Sequence, residues 1–182
     1  MKKFILIIFL SLVIIESFAS EKDLVKKNLK EIDNLSFDFE QNINGKIEKG
    51  NCIIQYPKKI YCEYNLSNKK ILVSNGKSLV IKSKTSYYLY PLESTPLNLI
   101  LDKDFLLEKI SIMDERLIDD KFINYKFTKN NNEINIFFNK NNYDLIGWQT
   151  IDIYQNLNIT FLSSIIKNQK IKKNLFRLPN QN

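Results

Sequence analysis

Histidine is absent from this 182-residue chain. That one gap removes serine–histidine–aspartate and cysteine–histidine catalysis, and with them the commonest metal-ligating side chain. Only two cysteines are present, too few for a four-cysteine zinc site within one chain. Long apolar runs are lacking too. The greasiest stretch, residues 4–15, holds about a dozen residues, short of the ~20 that a transmembrane helix needs. With Lys2 and Lys3 before it and Ser17 and Ala19 after it, this stretch reads as a secretory leader cut after Ala19, residues 1–19 in all. An uncleaved anchor is the competing reading. No cysteine follows the cut, so nothing there would accept a lipid.

Residues 20–182 are one domain's worth of chain and enough to bury a sizeable core. The formal charge is +7. The leader holds only Lys2, Lys3 and Glu16 of the charged residues, so the positive excess lies beyond it. Such a balance suits anionic headgroups or polyanions. The lysines are dispersed, however, and a general abundance of Lys and Asn is the preferred account of the charge. Without a concentrated basic and aromatic strip, and with a leader, nucleic acid is not an expected partner. The lysines between Lys167 and Lys173 read as a solvated loop. Acidic pairs occur at Asp102/Asp104 and Asp119/Asp120. Two carboxylates are what a glycosidase needs, but neighbouring acids near turns are ordinarily just exposed, and no enzyme is expected.

Ser20 followed by Asp23 opens a helix, with Leu24, Val25, Leu29 and Ile32 on one face, ending near Asp33-Asn34. The pattern then switches to period two. Leu35, Phe37 and Phe39 alternate with Ser36, Asp38 and Glu40, a strand with one greasy face. A turn at Asn44-Gly45 leads to strands near 46–55, 60–66, 70–74, 77–82 and 86–90. Ser74-Asn75-Gly76-Lys77 between two apolar runs predicts a hairpin, because Asn-Gly accepts the positive φ a tight turn needs. Thr95-Pro96 opens a short apolar helix over Leu97-Asn98-Leu99-Ile100-Leu101. Asp102, Asp104 and Glu108 look like solvated spacers. A second strand run covers 110–115, 121–129, 133–138, 145–154 and 157–164, with turns at Asn130–Asn132 and Asn139–Asn142, and Leu175–Leu178 closes the chain as a last strand. The class is therefore mainly β with few helices, a sandwich or barrel; pattern alone does not choose between a closed barrel and an open one.

Cys52 and Cys62 flank Pro57-Lys58-Lys59. A hairpin centred at Pro57 sets them opposite each other, at about the separation a disulfide spans. An oxidising destination suits the bridge; two free thiols acting as small apolar fillers is the alternative.

Four pieces recur in a telling order: Gly50 with Tyr56-Pro57 just beyond it, Val73 to Lys77, Thr95-Pro96-Leu97, and Asn174 to Pro179. In this order the chain resembles the outer-membrane lipoprotein carrier family, the LolA-like periplasmic chaperones. The resemblance implies an unclosed antiparallel β-barrel with an N-terminal helix and a short helical lid. It implies a monomeric carrier, free of cofactor and metal. Such a carrier takes acylated lipoproteins from an inner-membrane lipoprotein-releasing transporter to an outer-membrane lipoprotein receptor, across the periplasm. A lipid-binding or envelope-sensing protein of the same fold is the alternative. Alternation puts Leu35, Phe37, Phe39, Ile54, Ile60, Tyr64, Leu79, Ile81, Tyr88, Tyr90, Trp148 and Ile153 on the inward face, either as solid core or as the wall of an acyl-chain cavity. The lid would comprise Pro96, Leu97, Leu99, Ile100 and Leu101, with Ile100 against Trp148. Where many family members place a lid-holding arginine, this chain has Tyr56 and Tyr61, which hydrogen-bond without charge.

Overall fold

The computed structural model describes residues 20–129, 132–151 and 156–181. The leader, the turn residues Asn130 and Asn131, and Ile153 lie outside the described residues. Helix α1 (Glu21–Lys30) starts where expected: the Asp23 amide donates to Ser20 Oγ at 3.2 Å. Val25, Leu29 and Ile32 are buried beneath it.

Eleven strands follow in one antiparallel sheet: β1 (Asn34–Ile43), β2 (Lys46–Gln55), β3 (Lys59–Tyr64), β4 (Ile71–Asn75), β5 (Ser78–Lys82), β6 (Tyr87–Pro91), β7 (Arg116–Ile118), β8 (Phe122–Lys129), β9 (Asn132–Asn139), β10 (Leu145–Ile151) and β11 (Leu157–Lys167). Their spatial order is β6-β5-β4-β3-β2-β1-β11-β10-β9-β8-β7. β6 and β7 are therefore edges that never meet, and the barrel stays unclosed. Between them run a one-turn 3-10 helix at Leu92–Ser94, α2 (Leu97–Ile100) and α3 (Lys103–Ile112). The core sits on the concave side, where α1 packs on α3 and α2 abuts α3.

The register fixes which side chains share the concave face. Leu35 faces Ile54, which faces Ile60, Ser74 and then Leu79. The next row is Phe37, Cys52, Cys62, Leu72 and Ile81. Then come Phe39, Gly50 and Tyr64, and after them Gln41 with Glu48 on one side and Thr160 and Trp148 on the other. Gly50 has a physical reason. A Cβ there would lie 2.8 Å from the Phe39 ring and 2.0 Å from the Glu63 carbonyl oxygen. The bare glycine lets Phe39 lean edge-on to Tyr64, ring centres 5.0 Å apart.

Two expected strands need correction. The strand read at 110–115 is instead the last turns of α3, which runs to Ile112, followed by β7. The alternation of Ile110, Ser111 and Ile112 imitates a strand, but the Asp102 side chain caps a helix upstream, accepting from the Phe105 amide at 3.1 Å. Leu175–Leu178 is not a strand: a turn covers residues 173–176, where the Leu175 amide donates to the Lys172 carbonyl and Asn174 takes a positive φ of 65°. This tail reaches β5 and β6, where Lys82 Nζ donates to the Asn180 carbonyl and the Tyr87 hydroxyl to that of Pro179. Val73 and Val80, paired on the convex face, are buried too, at 1% and 0% exposed.

Candidate functional site

The rows just described do not fill the hollow they surround. A cavity of about 240 Å³ remains on the concave side. Phe39, Cys52, Ile60, Cys62, Tyr64, Leu72, Leu79, Ile81 and Trp148 wall it. Cys52 and Cys62, paired across β2 and β3, form a disulfide, their Cα atoms 4.1 Å apart. Its sulfurs thus belong to an apolar wall.

Thr95, Pro96, Leu97 and Ile100, which belong to no strand, complete the wall. This segment is pinned at both ends to hairpin turns. At its start the Leu92 amide donates to the Lys77 carbonyl, in the β4–β5 turn, at 2.9 Å. At its end the Lys58 amide, in the β2–β3 turn, donates to the Leu101 carbonyl at 2.8 Å. Lys58 adds an ion pair to Asp102, Nζ to Oδ2 3.2 Å. Buried Ser74 joins the two turns: its hydroxyl donates to the Lys58 carbonyl at 3.0 Å and accepts from the Gly76 amide at 3.1 Å. A four-residue helix is too short to hold itself together. These anchors, and the burial of Leu99, Ile100 and Leu101, hold it instead.

A sequence model of the outer membrane lipoprotein carrier protein LolA matches residues 30–179. The chain belongs to the LolA family. Among solved structures, an uncharacterized conserved protein from Thermus thermophilus is 9% identical, with a TM-score of 0.51 over 88% of this chain and 93% of that one. A LolA superfamily protein from Nitrosomonas europaea is 8% identical, with a TM-score of 0.46 over 88% of this chain and 99% of the other. A putative outer membrane lipoprotein-sorting protein domain from Vibrio parahaemolyticus is 7% identical, with a TM-score of 0.47 over 84% and 94%. At such identities likeness speaks for the fold alone, and of these three the Thermus match is close enough in shape to carry that argument. No match is found among curated protein sequences.

Against the sequence reading, Phe39, Ile60, Tyr64, Leu79, Ile81, Trp148, Pro96, Leu97 and Ile100 meet at one cavity. Phe37 and Ile54 are buried beside it without lining it, Phe37 edge-on to Trp148 with ring centres 6.3 Å apart. Leu99 and Leu101 are likewise buried outside its wall. Tyr88 and Tyr90 share the concave face through their pairing with Ile81 and Leu79. They stand on the edge strand, however, stacked on each other and half in solvent.

Neither tyrosine at the family's arginine positions hydrogen-bonds the cover through its hydroxyl. The Tyr56 hydroxyl is buried without a hydrogen-bond partner among the described residues, and burial pushes its pKa up. Tyr61, on the convex face, bonds Glu63; burial first and that carboxylate second push its phenol up to about 12. Lys58 does the holding, and its partner Asp102, read as a solvated spacer, is tied on two sides. The signal was present in a lysine beside the hairpin proline, but its partner lies 44 residues on.

The wall also has a polar end that sequence reasoning missed. Gln41, Lys70, Thr150, Asn158 and Thr160 line it, with Ile43. Glu48, 3% exposed, receives Lys46 at 2.8 Å and Lys70. Burial by itself would raise the Glu48 pKa, but the hydrogen bonds from the two lysines overcome it and hold the carboxyl below its ordinary value.

Proposed function

We propose that this chain is a periplasmic lipoprotein chaperone, in which residues 1–19 are a cleaved leader and residues 20–182 a single carrier domain. It takes the acyl chains of lipoproteins into the walled cavity and carries them, as a monomer, from an inner-membrane lipoprotein-releasing transporter to an outer-membrane receptor. The observation that carries the reading is the cover itself. Pro96, Leu97 and Ile100 put apolar side chains into the hollow of an open sheet, where a loop segment ordinarily faces water.

The physics suits transport better than storage. Each acyl methylene hidden from water is worth about 0.8 kcal/mol, so a lipoprotein cannot cross water with its chains bare. A carrier must also release them. The cavity, about 240 Å³, falls short of the roughly 300–1,000 Å³ of ligand pockets that bury their guests. Room for the chains of a whole lipoprotein therefore requires the cover to lift. Breaking its anchors costs free energy that is subtracted from affinity, because only the open fraction binds. The acyl chains can then pass downhill to a receptor whose cavity is already open.

The test is release of acylated lipoprotein from inner-membrane vesicles. The expected result is a soluble one-to-one complex with this protein. Lipid bound with lipoprotein left on the vesicles would overturn the carrier role in favour of a lipid-binding or sensing protein.

A further inference from the structure

We propose that the cavity is a two-ended site whose polar end receives the anionic head, a carboxylate or a phosphate diester, of a single-chain lipid whose tail lies toward the cover. The proposal rests on the acyl-chain reading above and adds a ligand class to it.

The two ends follow from the register. The row containing Ile60, Ser74 and Leu79 lies beside the hairpin turns that anchor the cover. The row containing Gln41 and Thr160 lies six residues further along β1, about 20 Å at the usual strand rise. Toward the cover the wall is hydrocarbon and sulfur apart from Thr95; at the other end amide, hydroxyl and ammonium groups stand beside Ile43. A cavity meant only for methylenes has no use for those groups, since burying polar atoms costs free energy that an apolar guest does not return.

The polar groups there are ordered. Gln41 Nε2 donates to Asn158 Oδ1 at 3.0 Å and to Thr160 Oγ1 at 3.4 Å, and the Tyr64 hydroxyl donates to Gln41 Oε1 at 3.4 Å. Lys70 lines the cavity, its ammonium 4.0 Å from the centre of the Tyr64 ring. Glu48 is shared, paired with solvent-exposed Lys46 and with Lys70 at the cavity. An ammonium has three donors, more than one carboxylate uses, so Lys70 keeps donors for a second acceptor. A charged acceptor makes the stronger, charge-assisted bond there, which a neutral glyceryl head does not.

The experiment measures equilibrium dialysis of labelled palmitate, palmitoyl lysophosphatidylglycerol and neutral monopalmitoylglycerol, all below their micelle concentrations at pH 8. Trp148, the lone tryptophan and part of the wall, gives a fluorescence readout of the same site. Both anionic lipids, or one of them, should bind about tenfold or more tighter than the neutral one, and the tighter of the two identifies the head group. Lys70→Met should bring that ratio to within about twofold. Glu48→Gln with Lys70→Met removes the buried pair together, stranding no buried charge and leaving the net charge unchanged, and should do the same. Equal affinity of all three lipids for the native protein overturns the head-group site and leaves the acyl-chain reading standing. So does a preference that survives the double substitution. Binding of none of the three overturns both.

Discussion

Lys58 grips Asp102 across the end of the cavity cover, Nζ to Oδ2 3.2 Å, while its own amide donates to the carbonyl of Leu101 next door. One residue of a hairpin turn thus holds the cover by backbone and side chain together. Asp102 also caps α3, so its two jobs can be separated by substitution. Asp102→Asn keeps a good cap and loses the ion pair, a partly exposed one worth at most about 1 kcal/mol. An acyl probe should then bind up to about fivefold tighter, because a larger fraction is open, while unfolding free energy read by urea falls by no more than the same ~1 kcal/mol. An unchanged dissociation constant would mean that the pair does not restrain the cover.

Ser74 is the hinge pin between the two anchoring turns. Ser74→Ala leaves the Lys58 carbonyl without that donor in a buried setting. The expected loss is about 1–3 kcal/mol of unfolding free energy, read by urea denaturation, together with faster uptake of an acyl probe. Uptake at the native rate, despite the lost stability, would separate Ser74 from the cover.

The disulfide between Cys52 and Cys62 closes a ten-residue separation. Cys52→Ala with Cys62→Ala should cost about 2–4 kcal/mol, visible as a lower urea midpoint. Alkylation before reduction should add no mass to the native protein. Two alkylated thiols would rule the bridge out.

The Glu48 carboxyl is held below its ordinary value in the folded chain. Its contribution to stability is therefore complete above the unfolded value of 4.5 and is lost as pH falls through the lower folded one. The native protein should lose stability between about pH 5 and 3 more steeply than Glu48→Gln does. Glu133 at the surface, also lowered, chiefly by Lys126, titrates in both proteins and cancels in the difference. Parallel acid limbs would show that Glu48 is not held by its lysines.

Much of the strand half was legible because period two survives any packing. The β2–β3 and β4–β5 hairpins follow from Pro57 and from Asn75-Gly76, whose glycine takes the positive φ of 97°. The short helix Leu97–Ile100 was legible as an apolar run after Thr95-Pro96. What misled was ambiguity of short runs. Ile110 to Ile112 alternates like a strand yet ends a capped helix, and Tyr88 and Tyr90 alternate like core yet sit on an edge strand, half in solvent.

Sequence alone determined the mainly β architecture, the inward alternation, the facing cysteines and the position of the cover, since each depends on residues close together in the chain. Tertiary structure alone decided which lysine holds the cover and where the cavity turns polar. Lys58 meets Asp102, Lys70 meets Glu48 and Gln41 meets Thr160 only once distant strands pair. Local propensity carries no record of charges and amides brought together across the sheet.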